Sequence, residues 1–120
     1  MKGTDSFREL LGIDLIEVKD GYAKMTMKIT KAHTNALGFA HGGAIFSFAD
    51  CAFAEAANSG EKVAVAVQVS INYLRPTVEG DFLTAEAVRV SEGKTFGVFN
   101  ITVRKEEKTI AIFNGLAYKQ

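Results

Sequence analysis

Between residues 21 and 30 the chain alternates. Ala23, Met25, Met27 and Ile29 fall on one side, and Tyr22, Lys24, Thr26 and Lys28 on the other. A period of two predicts a strand with one wet face. Residues 63–74 repeat the pattern, with Val63, Val65, Val67, Val69, Ile71 and Tyr73 forming one face. Segments 82–90, 94–104 and 108–118 also read as strands, separated by SEG and KEE turns. Two segments look helical instead. In 5-DSFRELLG-12, Asp5 can cap, Phe7, Leu10 and Leu11 share a face, and Gly12 is a stop. Residues 44 to about 59 are apolar nearly all round, with only Ser47, Asp50 and Glu55 polar as far as residue 57. That composition predicts a buried helix of about four turns. Residues 31–43 carry no period and hold Asn35, Gly38, Gly42 and Gly43. They read as a structured loop of the kind that carries function.

The order is helix, strand, long helix, then four strands. This predicts an α+β domain with a five-stranded, antiparallel-dominated sheet whose last three strands form a meander. The long helix between the first two strands implies a crossover. The 120 residues fit one domain with a real core and show no linker, repeat or low-complexity tract. One sheet of this size does not easily cover an apolar helix on every side, which hints at a partner subunit.

Lys+Arg and Asp+Glu each number 14, and no stretch is basic enough for a nucleic-acid surface. The lone Cys51 cannot close an intrachain disulfide and reads as a small buried hydrophobe. The N-terminus lacks the continuous apolar core of a signal peptide. Asp50 and Glu55 interrupt the best candidate for a membrane span. A cytoplasmic protein without nucleic-acid or membrane partners is expected.

The loop 38-GFAHGGA-44 is not a phosphate loop, because no Lys-Ser/Thr follows its last glycine. His33 and His41 lie across a loop without a cysteine cluster, so no metal site is expected. What remains is a helix N-terminus built on His41-Gly42-Gly43. Its unpaired amides could hold a developing oxyanion, and its glycines allow close approach. The plainer alternative is that the glycines only permit tight packing. Asp50 favours the chemical reading, because a carboxylate in apolar surroundings is costly without a partner. Ser47, one turn earlier, is the available structural partner. Glu55 sits about 140° around the helix from Asp50, so the two do not form a carboxylate pair, and Glu55 reads as solvated or interfacial.

Taken together, Asn35, His41-Gly42-Gly43, Phe46-Ser47-x-Ala49-Asp50, Asn72-Tyr73-Leu74-Arg75-Pro76 and Gly93-Lys94-Thr95 carry a resemblance. They are similar to the phenylacetic-acid-degradation-type branch of the hot-dog-fold acyl-CoA thioesterases, in the 4-hydroxybenzoyl-CoA thioesterase superfamily. The match spans residues 12 to 118. The resemblance implies a hot-dog fold, with a sheet wrapped round the long helix, sheets joined into a homodimer, and dimers paired into a homotetramer. It implies an active site at the dimer interface and no cofactor. Asp50 would be the catalytic carboxylate, as nucleophile or general base; Gly42 would polarise the thioester carbonyl; Asn35 would position water or carbonyl. His41 would belong to the catalytic loop, chiefly by shaping the turn.

Acyl-CoA would be held by Gly43, Phe46, Ser47, Gln68, Asn72, Tyr73, Arg75 and Lys94, with Phe48 and Phe53 shaping the pocket. Relatives often carry Ser or Thr on the strand after the helix. Here Ala66 and Val67 stand nearest, leaving Gln68 to help. Arg75, Arg89, Lys94 and Arg104 are candidates for the coenzyme A phosphates. The implied reaction is hydrolysis of aromatic (phenylacetyl- or hydroxyphenylacetyl-type) or medium-chain acyl-CoA. Two rivals are a hydratase or dehydratase on the same fold, whose His-Phe-Pro-Gly-like signature is missing, and a non-catalytic acyl-CoA-binding module, which would have no use for Asp50.

Overall fold

The computed structural model describes residues 4–120. Helix α1 (Ser6–Leu11) leads into strands β1 (Ile13–Lys19) and β2 (Tyr22–Lys28). A 3₁₀ turn (Lys31–His33) and a loop then reach the long helix α2 (Gly42–Ala57). Strands β3 (Ala64–Tyr73), β4 (Phe82–Glu92), β5 (Phe96–Lys105) and β6 (Lys108–Lys119) follow. All six strands pair antiparallel in the order β1-β2-β4-β5-β6-β3. The β4-β5-β6 meander and the crossover through α2 are as the pattern predicts. β2 and β3 lie far apart in the sheet because α2 carries the chain across one face.

Five strands were expected and six are present among the described residues. The extra one is β1, whose sequence IDLIEVK hides its period twice over. A bulge between Leu15 and Glu17 breaks the alternation, and only Ile13 is buried. The alternation of β2 is real: Ala23, Met25, Met27 and Ile29 are sealed in the core.

β3 corrects a second expectation. Its apolar positions do not form one continuous face, because a bulge between Ala66 and Gln68 changes the parity. After it, Val69 and Ile71 pack on the core, whereas Val65 and Val67 are exposed. One extra residue flips every later side chain to the opposite face.

Helix α2 begins at Gly42, two residues earlier than its apolar pattern, because the His41 side chain caps it. Ile45, Phe48, Ala49, Ala52, Phe53 and Ala56 press onto the sheet. Phe53 meets Phe99 and Phe113 there, with ring centroids 5.6 and 5.8 Å apart. Gly115 makes room for it, since a Cβ at that position would lie 2.6 Å from the Phe53 ring.

In α1, Asp5 accepts from the Arg8 amide and Gly12 takes the left-handed conformation, as its sequence predicts. Its apolar face is weaker than expected: Leu11 packs on the core, while Phe7 and Leu10 are exposed. The helix is tied down by a 3.1 Å ion pair from Arg8 to Glu55. Glu55, with 12% of its side chain exposed, is therefore paired rather than solvated.

Candidate active site

Two groups on α2 stand out because they lack partners. The first is the Gly42 amide. His41 Nδ1 accepts from Gly43 N–H at 2.8 Å, and the His41 carbonyl accepts from Ala44 and Ile45. Gly42 N–H makes no hydrogen bond among the described residues. It stands at the positive end of a 16-residue helix, where partial charge favours an anion. His41 thus consumes the Gly43 donor and leaves that of Gly42, so its observed part is structural. Gly43 also stays small, since a Cβ there would come within 3.1 Å of His41 Nδ1.

The second group is the Asp50 carboxylate. It is half-buried and accepts no hydrogen bond from any described residue, Ser47 included. Burial chiefly, and the negative charge of Asp5 secondarily, push its pKa above the ordinary carboxylate value. A base of raised pKa binds a proton more strongly and is the better general base. At 100° per residue Asp50 lies about 40° from Phe46 and about 20° from Gly43. Phe46 packs on Phe113 of β6, with centroids 5.4 Å apart. Asp50 therefore lies on the outward side of α2, between Phe46, which faces β6, and Gly43, which lines a cleft on the α1 side. Along the helix it is about 12 Å from Gly42.

Asn35 shapes the loop that leads into α2. Its Oδ1 accepts from Leu37 N–H at 2.9 Å and Phe39 N–H at 3.2 Å. The side-chain amide nitrogen has no partner among the described residues. One end of this side chain folds the loop and the other remains available to donate.

The binding candidates divide. Tyr73 supports the helix start: its hydroxyl donates to the Gly42 carbonyl at 2.8 Å, and its ring would lie 3.4 Å from a Cβ at Gly42. With Arg75, Phe39, Ile45, Leu74 and Ile110 it lines a largely apolar cleft of ≈ 290 Å³ beside Gly42. Ser47 lines a smaller cleft of ≈ 210 Å³ on the α1 side, with Phe7, His33 and His41. Phe48 and Phe53 are fully or almost fully buried core residues and shape no open pocket within one chain. Gln68 and Asn72 are exposed on edge strand β3.

Among the proposed phosphate-binding cations, Arg89 is held by Asp20 and Glu92, and Arg104 by Glu86. Those two are engaged in the sheet surface. Arg75 and Lys94 carry no ion pair among the described residues. Lys94 sits in the β4–β5 turn, which Lys119 binds through Gly93 and Thr95. Lys119 pairs with Ala64, the first residue of β3. Tyr73 closes the other end of β3, about 30 Å away at strand rise. Within one chain, Lys94 and Gly42 do not meet.

Sequence reading missed the lining contributed by Phe39 and Ile110, which only tertiary contact brings to the cleft. It also missed the use made of His33. The Thr30-x-x-His33 spacing was the available signal: His33 Nδ1 accepts from Thr30 N–H at 2.9 Å.

The same fold recurs in proteins of known class. The family model for the thioesterase superfamily matches residues 37–112. The acyl-coenzyme A thioesterase PaaI of Escherichia coli is 42% identical, across 99% of this chain and 86% of its own. The solved E. coli PaaI structure, from the phenylacetic acid degradation operon, superposes with a TM-score of 0.94 at 41% identity. It covers 97% of this chain and 85% of the other. A Streptococcus mutans protein bound to acetyl CoA superposes with a TM-score of 0.86 at 29% identity, covering 90% and 88%. The helix-on-sheet fold, the open helix N-terminus and these matches together show that this chain belongs to the thioesterase superfamily, as a thioester hydrolase on the hot-dog fold.

Proposed function

We propose that the protein hydrolyses acyl-CoA thioesters of aromatic or medium-chain acids, with its catalytic centre shared between two copies of the chain. The observation that carries this reading is the separation of its two unpartnered groups. The Gly42 amide and the Asp50 carboxylate lie about 12 Å apart on one helix. An aspartate side chain cannot reach a carbonyl bound at its own helix N-terminus. A second copy related by a two-fold axis brings its Asp50 to the first copy's Gly42. The exposed β3 edge, with Val65 and Val67 unburied, supports pairing there, and such dimers would assemble further into a homotetramer. Antiparallel pairing of two β3 strands would also carry one copy's Lys94 turn towards the other's Tyr73 end.

In this centre Gly42 N–H holds the thioester carbonyl oxygen. Asp50 takes a proton from water as the hydroxide adds to the carbonyl carbon, or attacks directly to give an acyl anhydride that water then hydrolyses, regenerating the carboxylate. The C–S bond breaks from the tetrahedral intermediate, whose oxyanion the amide stabilises. The proton passes to the leaving thiolate, giving free acid and CoA. Asn35 donates from its free amide nitrogen to the water or carbonyl, and Arg75 and Lys94 face the nucleotide phosphates. No cofactor is required. No helix among the described residues is long and apolar enough to cross a membrane, and a cytoplasmic site of action suits the CoA thioester. The whole chain acts as one catalytic domain.

Complementation tests the shared centre. Asp50→Ala removes the carboxylate. Gly42→Pro removes the amide at the first helical position, where proline is tolerated. Each variant alone is nearly inactive. Mixed dimers regain one intact site of two, about a quarter of wild-type activity for random pairing in a two-fold dimer. Heterodimers seen by mass spectrometry without activity would place both groups in one subunit and refute the reading.

A further inference from the structure

His33 is buried, with 6% of its surface exposed, and the hydrolysis described above gives it no part. Both ring nitrogens are nonetheless engaged. Nδ1 meets Thr30 N–H at 2.9 Å, and Nε2 lies 2.8 Å from the Leu11 carbonyl. An amide can only donate and a carbonyl only accept, so these partners fix the neutral ring with its proton on Nε2. The His33 backbone carbonyl accepts from His41 N–H at 2.7 Å. His41 in turn accepts the Gly43 amide on its own ring. A continuous chain of four hydrogen bonds thus runs from the end of α1, and from Thr30 at the start of the 3₁₀ turn, to the first turn of α2. Its last member decides which helix amide is tied up and which is left open.

We infer that His33 is a positioning residue for thioester hydrolysis: by closing the turn from Thr30 it fixes His41, and through His41 the direction of the open Gly42 amide. Donors of this kind work only when aimed at the place the oxyanion will occupy. The ground-state thioester depends less on that aim, because its carbonyl oxygen carries little of the charge that develops in the transition state. Loss of His33 therefore lowers kcat more than it raises KM. The Thr30 bond closes the turn that presents the His33 carbonyl, whereas the Leu11 bond only anchors α1. The first bond carries the effect.

Three variants separate the bonds. His33→Ala removes both. In His33→Asn the side-chain oxygen stands near the place of Nδ1 and keeps the Thr30 amide paired. The longer His33→Gln reaches the Leu11 carbonyl instead. Steady-state kinetics with an acyl-CoA substrate are measured beside thermal melting. His33→Ala is expected to lose about tenfold to a hundredfold in kcat, the scale of a small misplacement, with KM changed far less. His33→Asn recovers most of that loss and His33→Gln little. If the alanine variant does not fold, Asn standing above Gln supports the inference by itself. Wild-type kcat in His33→Ala, or equal kcat in the Asn and Gln variants, overturns it.

The inference rests on Gly42 and Asp50 acting as proposed, and Asp50→Asn is assayed alongside. An active Asp50→Asn refutes that reading of the centre. An inactive one beside unchanged His33 variants refutes only the positioning role.

Discussion

Asp50 is placed against its own stability. Burial and the Asp5 charge raise its pKa above the ordinary value of 3.8. The folded chain therefore favours the protonated form. Below the unfolded value this contributes stability; as pH rises through the folded value the contribution is lost, and the ionised group becomes a cost. Asp50→Asn is accordingly expected to melt slightly higher than wild type at neutral pH, with the difference closing as pH falls towards 3.8. The same variant should lose about three decades of turnover, the scale of general-base catalysis, with acyl-CoA binding retained. A tenth of wild-type turnover would refute the assignment. Asn35 permits a finer cut. Asn35→Asp keeps the oxygen that binds Leu37 and Phe39 and deletes the donor nitrogen. Turnover should fall about tenfold to a thousandfold for loss of one positioned donor, while melting stays close to wild type. Wild-type kinetics would leave Asn35 as a loop-former only.

At the level of elements, the contact of α2 with the sheet depends on a glycine in β6. A Cβ at Gly115 would lie 2.6–2.8 Å from three Phe53 ring atoms, and that ring is already fixed against Phe99 and Phe113. Gly115→Ala should therefore destabilise the fold by about 1–3 kcal/mol, the usual cost of overpacking. Denaturant midpoints measure it, and an unchanged midpoint would mean that Phe53 has room to turn. Arg8 and Glu55 tie α1 to α2 at 3.1 Å, although Arg8 Nε is buried without a partner among the described residues. This short helix buries no residue of its own. It is held by an ion pair and by the His33–Leu11 bond more than by apolar contact.

Across the whole molecule, the sheet ends in β3 on one side and β1 on the other. An exposed edge with apolar residues invites pairing with another chain, and lysine is the usual deterrent. The double substitution Val65→Lys and Val67→Lys should shift the protein towards monomer, read by analytical ultracentrifugation, with activity falling in proportion to the dimer lost. A fully active monomer would refute the shared centre.

The chain pattern by itself determined both helices, strands β2 to β6 in their order, the β4-β5-β6 meander and the buried face of β2. Each follows from residues adjacent in sequence: period and turn chemistry. Local pattern failed where the backbone slips by one residue. The bulges in β1 and β3 change parity without leaving a mark in composition, so β1 was invisible and the valines of β3 fell on the wrong side. Only the tertiary structure decided the fate of polar side chains, because their partners come from distant segments. Glu55 finds Arg8 47 positions away, Tyr73 reaches Gly42 across 31, and Asp50 finds no donor among the described residues. A charge pattern does not foretell which group is satisfied; the packing of α1 and β3 around α2 does.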